Sequence, residues 1–133
     1  MDPFLTTVAV IILLALALRF GMNARMKRSI GKAVPDVSEL SGRALDHDES
    51  AMFYFYGPHC RACKAMTPVV KAMSDQHKNV FAVDISEHPK LARDFGLIAT
   101  PTVMTVRNGQ ISQVSVGTLS QAKLEQLLSN DGA

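Results

Sequence analysis

Cysteine is scarce in this chain, which holds two cysteines in 133 residues, and tryptophan is absent. A structural zinc site usually needs four ligands, and no second cysteine pair stands elsewhere to complete one. The histidines do not form a spaced pair on one helix; they are His47, His59, His77 and His88. The shortage of ligands therefore argues against a zinc site.

An excess of basic charge is also missing from most of the chain. Residues 41–133 hold nine basic and nine acidic residues, whereas residues 1–40 hold five basic and three acidic ones. A neutral domain without a basic stripe lacks the electrostatic footprint of a nucleic-acid-binding protein. We therefore expect no nucleic acid among the partners.

Charge of either sign is absent from Pro3 to Leu18. The stretch from Pro3 to Met22 is about 20 residues, or ~30 Å of helix, which matches the hydrocarbon thickness of a bilayer. A run that is apolar on every face needs lipid or a large core around it. These features predict a transmembrane anchor at residues 1–22.

A cleaved signal peptide is the main alternative to a retained anchor. A signal peptide begins with a basic region, but only Asp2 and the amino terminus precede this apolar run. The plausible cleavage position, after Ala24, has Met22 where a small residue is required. The sequence favours the anchor.

Basic residues lie only on the C-terminal side of the span; they are Arg19, Arg25, Lys27, Arg28 and Lys32. The positive-inside rule then places the soluble part in the cytoplasm, a reducing compartment that suits a reductant. An extracytoplasmic or periplasmic location remains the alternative. The sequence divides into an anchor at 1–22, a basic linker at 23–40 and a folded domain at 41–133.

The two cysteines, Cys60 and Cys63, stand two residues apart in the stretch GPHCRACK, between an apolar run and a helical pattern over 61–77. Unpaired N–H groups at a helix N-terminus stabilise a thiolate, and two sulfurs one turn apart can exchange between dithiol and disulfide. This strand–CxxC–helix context favours redox chemistry over half of a metal site or an inert pair.

The rest of the chain predicts the order β-α-β-α-β-β-α. Strands are expected at 52–56, 79–85, 103–106 and 110–116, with Asn108-Gly109 as the hairpin turn between the last two. The first two strands are joined through a helix and should be parallel. The expected fold class is α/β, a mixed β-sheet flanked by helices and preceded by one N-terminal transmembrane helix.

From residue 51 to residue 130 the chain resembles the thioredoxin family. The resemblance rests on features in register, which are the strand before Cys60-Arg61-Ala62-Cys63, Lys64, Pro68, Val83-Asp84-Ile85, the run FGLIATPT at 95–102, Asn108-Gly109 and Val116-Gly117. The first strand and helix of a full thioredoxin are not evident, unless residues 36–48 supply a reduced version.

The resemblance implies that Cys60 is the exposed nucleophile and Cys63 the buried resolving thiol. It implies that Pro101 is a cis proline, which leaves the backbone of Thr100 free to pair with an extended peptide. Apolar positions at Pro58, Ile98 and Pro101 would contact a client protein. The partners would be client disulfides and a thiol or reductase electron donor, with no metal or organic cofactor.

The chain departs from the family pattern at five positions. His59 stands where thioredoxins have tryptophan, and Arg61-Ala62 replaces Gly-Pro. Tyr54 and Ala82 replace a buried Asp and the Lys that pairs with it, so both buried charges are lost together. That loss counts against a fast general reductase.

The residues beside Cys60 predict a tuned thiol. His59 and Arg61 place positive or polarisable groups there, which would lower the thiol pKa and make the disulfide more oxidising. Alternatively, both side chains point into solvent and affect only the choice of partner. Two other functions stay open, a disulfide oxidase or isomerase outside the cytoplasm and a non-catalytic interaction module.

Overall fold

The computed structural model describes residues 2–131, so the last two residues of the predicted domain lie outside the described residues. The helices are α1 (Pro3–Lys27), α2 (Ser38–Ser41), α3 (Cys63–Gln76), α4 (Pro89–Asp94) and α5 (Gln121–Asp131). The strands are β1 (Ala51–Tyr56), β2 (Val80–Asp84), β3 (Thr102–Arg107) and β4 (Gln110–Val116). The predicted order of strands and helices is confirmed from β1 onward.

Strand β1 lies inside the sheet, whose order is β2-β1-β3-β4. It pairs parallel with β2, as the helical connection predicted, and antiparallel with β3. Its first five residues are all buried, which explains why this stretch is continuously apolar instead of alternating. Phe53 and Phe55 pack in one core cluster, and Met52 and Tyr54 pack in a second.

The turn between β3 and β4 is the predicted Asn108-Gly109 hairpin. Both residues have positive φ, 53° and 72°, which is the backbone that such a two-residue turn requires. The hairpin fixes the register that places Thr102 beside Val116 at the other end of the two strands.

Helix α1 is joined to the domain by packing and by backbone pairing. It runs to Lys27, beyond the predicted span, and the side chain of Met26 lies in the first core cluster. The N–H of Gly31 donates to the carbonyl of Ile111 at 2.8 Å, and the N–H of Val34 donates to the carbonyl of Gly109 at 3.0 Å. The division at residues 22 and 40 stays a prediction, but residues 26–34 pack on the domain.

Residues 36–48 do not form a strand. They contain α2, four residues long, and Val37 enters the core with 1% of its surface exposed. Within residues 2–131 the sheet therefore has four named strands, and β2 lies at its edge.

The burial of Met26 gives a stability prediction. We expect Met26→Ala to lower the free energy of unfolding by about 2–5 kcal/mol, because truncating a buried side chain leaves a cavity. Met22→Ala is the matched control: Met22 is 52% exposed and Met26 is 3% exposed, so the control should change stability by less than about 0.5 kcal/mol. Denaturant unfolding of the full chain in detergent micelles measures both. Equal effects would show that α1 does not pack on the domain.

Candidate active site

The two cysteines lie where β1 ends and α3 begins. The turn after β1 is closed by the N–H of Cys60, which donates to the carbonyl of Gly57 at 3.3 Å. Helix α3 begins at Cys63, two residues later than predicted, because Arg61 and Ala62 form a turn. The Cα atoms of Cys60 and Cys63 are 5.3 Å apart, and the two sulfurs form a disulfide.

The two sulfurs differ in environment. Cys63 is 2% exposed, whereas Cys60 is only partly buried. The N–H of Cys63 donates to Sγ of Cys60 at 3.2 Å, so the first free N–H of α3 points at that sulfur. An N–H donor and the positive end of a helix dipole both stabilise a thiolate. The geometry therefore favours negative charge on the sulfur that an external molecule can reach.

The proline loop lies at the same end of the sheet as Cys60. The Thr100–Pro101 peptide bond is cis, as the resemblance implied. Thr102, the next residue, pairs with Phe55 of β1, and the carbonyl of Pro101 accepts a 2.9 Å bond from the N–H of Gly117. Within residues 2–131, the backbone of Thr100 makes no hydrogen bond.

The other predicted site residues are distributed around this end of the sheet. Pro58 is exposed and follows β1 by two residues, and Ile98 is 43% exposed in the proline loop. The side chains of His59 and Arg61 are exposed and make no hydrogen bond or ion pair with the part of the chain that the structure describes. Their effect on the Cys60 thiol stays a prediction.

A network of hydroxyl groups lies beneath the cysteine turn. The Tyr54 hydroxyl donates to the carbonyl of Cys63 at 3.3 Å and is 2.9 Å from Oγ1 of Thr67. Thr67 Oγ1 also donates to the Cys63 carbonyl, at 2.8 Å. Sequence reasoning missed Thr67, although its place one helical turn after Cys63 is a signal that such a bond can form.

The Tyr54 phenol stays neutral over the pH range in which thiols titrate. Burial raises the pKa of Tyr54 above its ordinary value, and the hydrogen bond between Tyr54 and Thr67 only partly opposes the rise. Ala82 is the partner of Tyr54 in the parallel pairing with β2, so no cation faces the phenol from that strand. Tyr54 can therefore donate a hydrogen bond here but cannot accept a proton as a carboxylate would.

The family model described as "Thioredoxin" matches residues 37–130. The chain belongs to the thioredoxin family. Thioredoxin 1 of Nostoc sp. is 30% identical over 94 residues, covering 68% of this chain and 88% of that protein. Thioredoxin of Synechocystis sp. is 30% identical over 101 residues, covering 72% and 94%.

Solved structures give the same fold. A thioredoxin of Malassezia sympodialis is 26% identical with a TM-score of 0.57, covering 72% of this chain and 83% of that one. A reduced thioredoxin of Schistosoma mansoni is 27% identical with a TM-score of 0.54, covering 64% and 81%. Helix α1 precedes the part that the family model matches.

Membership of the thioredoxin family makes this chain a thioredoxin-like disulfide oxidoreductase whose redox-active group is Cys60–Cys63. Thioredoxins use no cofactor beyond that disulfide. Among the described residues no group of three or more His, Cys, Asp or Glu side chains could hold a metal ion.

Proposed function

We propose that the chain is a membrane-tethered thiol–disulfide oxidoreductase that reduces disulfides in client proteins. The observation that carries the proposal is the asymmetry of the cysteine pair. A client can reach the partly buried Cys60, while Cys63 is sealed beneath it and is held only one turn away. The unpaired backbone of Thr100 would offer the client a hydrogen-bonding edge at the same end of the sheet as this sulfur.

The cycle transfers two electrons through a mixed disulfide. The thiolate of Cys60 attacks one sulfur of the client disulfide, and the other client sulfur leaves as a thiolate. The thiolate of Cys63 then attacks Sγ of Cys60, which releases the second client sulfur and leaves the Cys60–Cys63 disulfide. An external dithiol reductant or a thiol-dependent reductase returns two electrons to the pair.

The properties of α1 support tethering. The helix has 25 residues, its most apolar window has a mean hydropathy of 2.3, and none of that window is buried in the protein. A signal sequence has the same properties, and the missing basic start and Met22 favour an anchor instead. The basic residues that follow the span favour a cytoplasmic domain, with an extracytoplasmic one as the alternative.

The reduction potential of the pair tests the direction of electron flow. We expect the full chain in detergent to accelerate the reduction of insulin by dithiothreitol. Equilibration with glutathione or thioredoxin standards should give a reduction potential of about −270 mV. A potential of about −120 mV would assign the protein instead to disulfide formation. Reduced insulin precipitates, so the precipitate reports the reaction. If dithiothreitol with the protein gives no more precipitate than dithiothreitol alone, the reductase proposal is refuted.

An oxidase or isomerase is the second candidate because of the side chains that flank Cys60. His59 and Arg61 are polar and exposed where thioredoxins have tryptophan and Gly-Pro. If they stabilise the thiolate, they stabilise the reduced form and make the disulfide a stronger oxidant. This candidate also requires the domain on the oxidising side of the membrane.

The contribution of His59 can be measured on the thiol. We expect His59→Ala to raise the pKa of the Cys60 thiol, because a polarisable group beside the thiolate is removed. The rate of alkylation of the reduced protein against pH gives the midpoint. His47→Ala is the control, since His47 is an exposed histidine whose Nδ1 lies 3.3 Å from Asp48 in a separate loop. If the alkylation midpoint is the same in the unsubstituted chain, His59→Ala and His47→Ala, His59 points away from the sulfur.

A further inference from the structure

The direction in which α1 runs along the sheet sets which end of the domain is closest to a membrane. Val116, the last residue of β4, lines one groove with Leu18 and Met22 of α1. Further along, Met26 packs in the core cluster that contains Ile111, and Gly31 bonds to the backbone of Ile111. The apolar part of α1 therefore lies beside the Val116 end of β4, and the C-terminal end of α1 lies toward the hairpin turn.

This orientation is held by more than one contact. Met26 is 3% exposed, and Ser29 is equally buried. The N–H of Ile111 donates to the carbonyl of Lys32 at 3.0 Å, in addition to the two bonds already described for Gly31 and Val34. A helix whose last turn is part of the core, followed by a segment paired with β4, cannot swing as a flexible tether would.

The length of α1 then requires the domain to contact the bilayer. Ile98 lines a groove with Leu14 and Leu18, and Val116 lies beside the same part of the helix. If the domain did not contact the lipid, only the part of α1 before Leu14 could lie in the bilayer. That part is about 11 residues, or ~16 Å of helix. A hydrocarbon core of ~30 Å needs about 20 residues, which brings the membrane boundary to Met22.

The surface that would meet the lipid has suitable chemistry. Ile98 is 43% exposed and Val116 is 39% exposed. No charged residue occurs in the sequence around either of them, at positions 95–106 or 111–122. The basic residues gather where α1 would leave the hydrocarbon, and they are Arg19, Arg25, Lys27 and Arg28. Apolar side chains that enter the headgroup region next to a basic cluster are the pattern of interfacial membrane binding.

We propose that the end of the sheet that carries Cys60 and the Pro101 loop rests on the lipid surface. Ile98 and Val116 lie in the boundary between headgroups and acyl chains. This inference rests on the proposed function and deepens it, because a reactive sulfur held there meets disulfides of membrane-bound proteins close to the bilayer. Soluble clients and disulfides far above the membrane are poorer substrates.

Fluorescence quenching by lipids tests the orientation. The full chain first receives Cys60→Ser and Cys63→Ser, and then one new cysteine through Val116→Cys. This cysteine is labelled with an environment-sensitive fluorophore, and the labelled protein is reconstituted in nanodiscs that contain spin-labelled lipids. Gln110→Cys is the matched control, an exposed site on the same strand about 20 Å away. We expect quenching at position 116 to exceed that at position 110 by at least about threefold, since apolar side chains enter the interface to a depth of only ~5–10 Å. Equal quenching at the two sites would overturn the proposal.

The distance of the client's disulfide from the membrane surface tests the substrate class. The unsubstituted full chain is reconstituted with a transmembrane peptide whose disulfide lies at the end of its span, or with the same peptide carrying the disulfide on a rigid helix of 20 residues, about 30 Å higher. Both clients are tethered to the same bilayer, so their effective concentrations are similar. We expect the low disulfide to be reduced at least about tenfold faster, because only it lies at the height of Cys60.

The outcomes separate this inference from the proposed function. Equal rates for the two peptides refute the membrane-surface substrate class and leave the reductase function standing. Failure to reduce either peptide or insulin refutes the reductase function, whereas quenching at position 116 would still support the orientation. A preference for the high disulfide would place the reactive sulfur away from the lipid and refute the inference outright.

Discussion

Replacing Cys63 with serine is expected to abolish catalysed disulfide reduction and to leave the protein joined covalently to its client. Cys60 can still attack, but the sulfur that would resolve the mixed disulfide is gone. Cys60→Ser is expected to abolish both turnover and the covalent adduct, because Cys63 is 2% exposed and cannot be reached by a client. Non-reducing electrophoresis after alkylation, together with the insulin assay, measures both effects.

The two single substitutions serve as controls for each other. Each removes one sulfur and the Cys60–Cys63 disulfide, so loss of the disulfide alone would affect them equally. An adduct formed by Cys60→Ser and not by Cys63→Ser would reverse the assigned roles. Residual turnover in both variants would remove the cysteine pair from the mechanism.

The second large effect concerns the buried tyrosine. We expect Tyr54→Asp to lower the free energy of unfolding at pH 7 by about 3–5 kcal/mol, because it leaves an unpaired carboxyl in the core. Tyr54 is 0% exposed, and its partner on β2 is Ala82, which offers no charge. Urea denaturation of the full chain in detergent, repeated from pH 4 to pH 8, measures the loss.

The pH dependence of this variant has a definite sign. Burial raises the pKa of the new carboxyl in the folded state above its unfolded value of about 3.9. Between the two pKa values the folded state binds more protons than the unfolded state, so stability falls as pH rises. The destabilisation should therefore be smallest near pH 4 and should grow toward neutrality.

A second substitution tests whether the unpaired charge causes the loss of stability in Tyr54→Asp. Ala82→Lys added to Tyr54→Asp should recover part of the lost stability, because it places a cation on the adjacent strand opposite the carboxyl. Tyr54→Phe is the matched control and should cost only about 1 kcal/mol, since the Cys63 carbonyl keeps its bond from Thr67. A pH-independent loss, or no recovery in the double variant, would show that the Tyr54→Asp defect is one of packing and not of charge.

Much of the fold was predictable because its signals are local. The continuous apolar run of β1 predicted a strand buried on both faces, and Asn108-Gly109 predicted the hairpin turn by its backbone requirement. The cysteine spacing, together with the strand before it and the helical pattern after it, indicated redox chemistry over metal binding. The cis bond before Pro101 was different, since the residues alone left it open and only the resemblance to thioredoxins implied it.

Other features depend on contacts between distant parts of the chain. Nothing in the polar stretch after α1 signals that residues 31–34 pair with β4, about 80 positions later, because a backbone hydrogen bond carries no side-chain signature. The bond of Tyr54 to Thr67 also joins two elements, so neither residue reveals it alone. The sequence also did not indicate that α1 continues past the predicted span to Lys27, because polarity marks the edge of a membrane span and not the end of a helix.

The sequence by itself determined the family, the reactive pair and an apolar segment long enough to cross a bilayer, because motif spacing and hydropathy are properties of neighbouring residues. Only the tertiary structure decided that Cys63 is sealed while Cys60 is accessible, and that the Pro101 loop shares their end of the sheet. It also decided that Met26 fixes α1 to the core. Burial and orientation follow from packing between elements far apart in the chain, which no local pattern records.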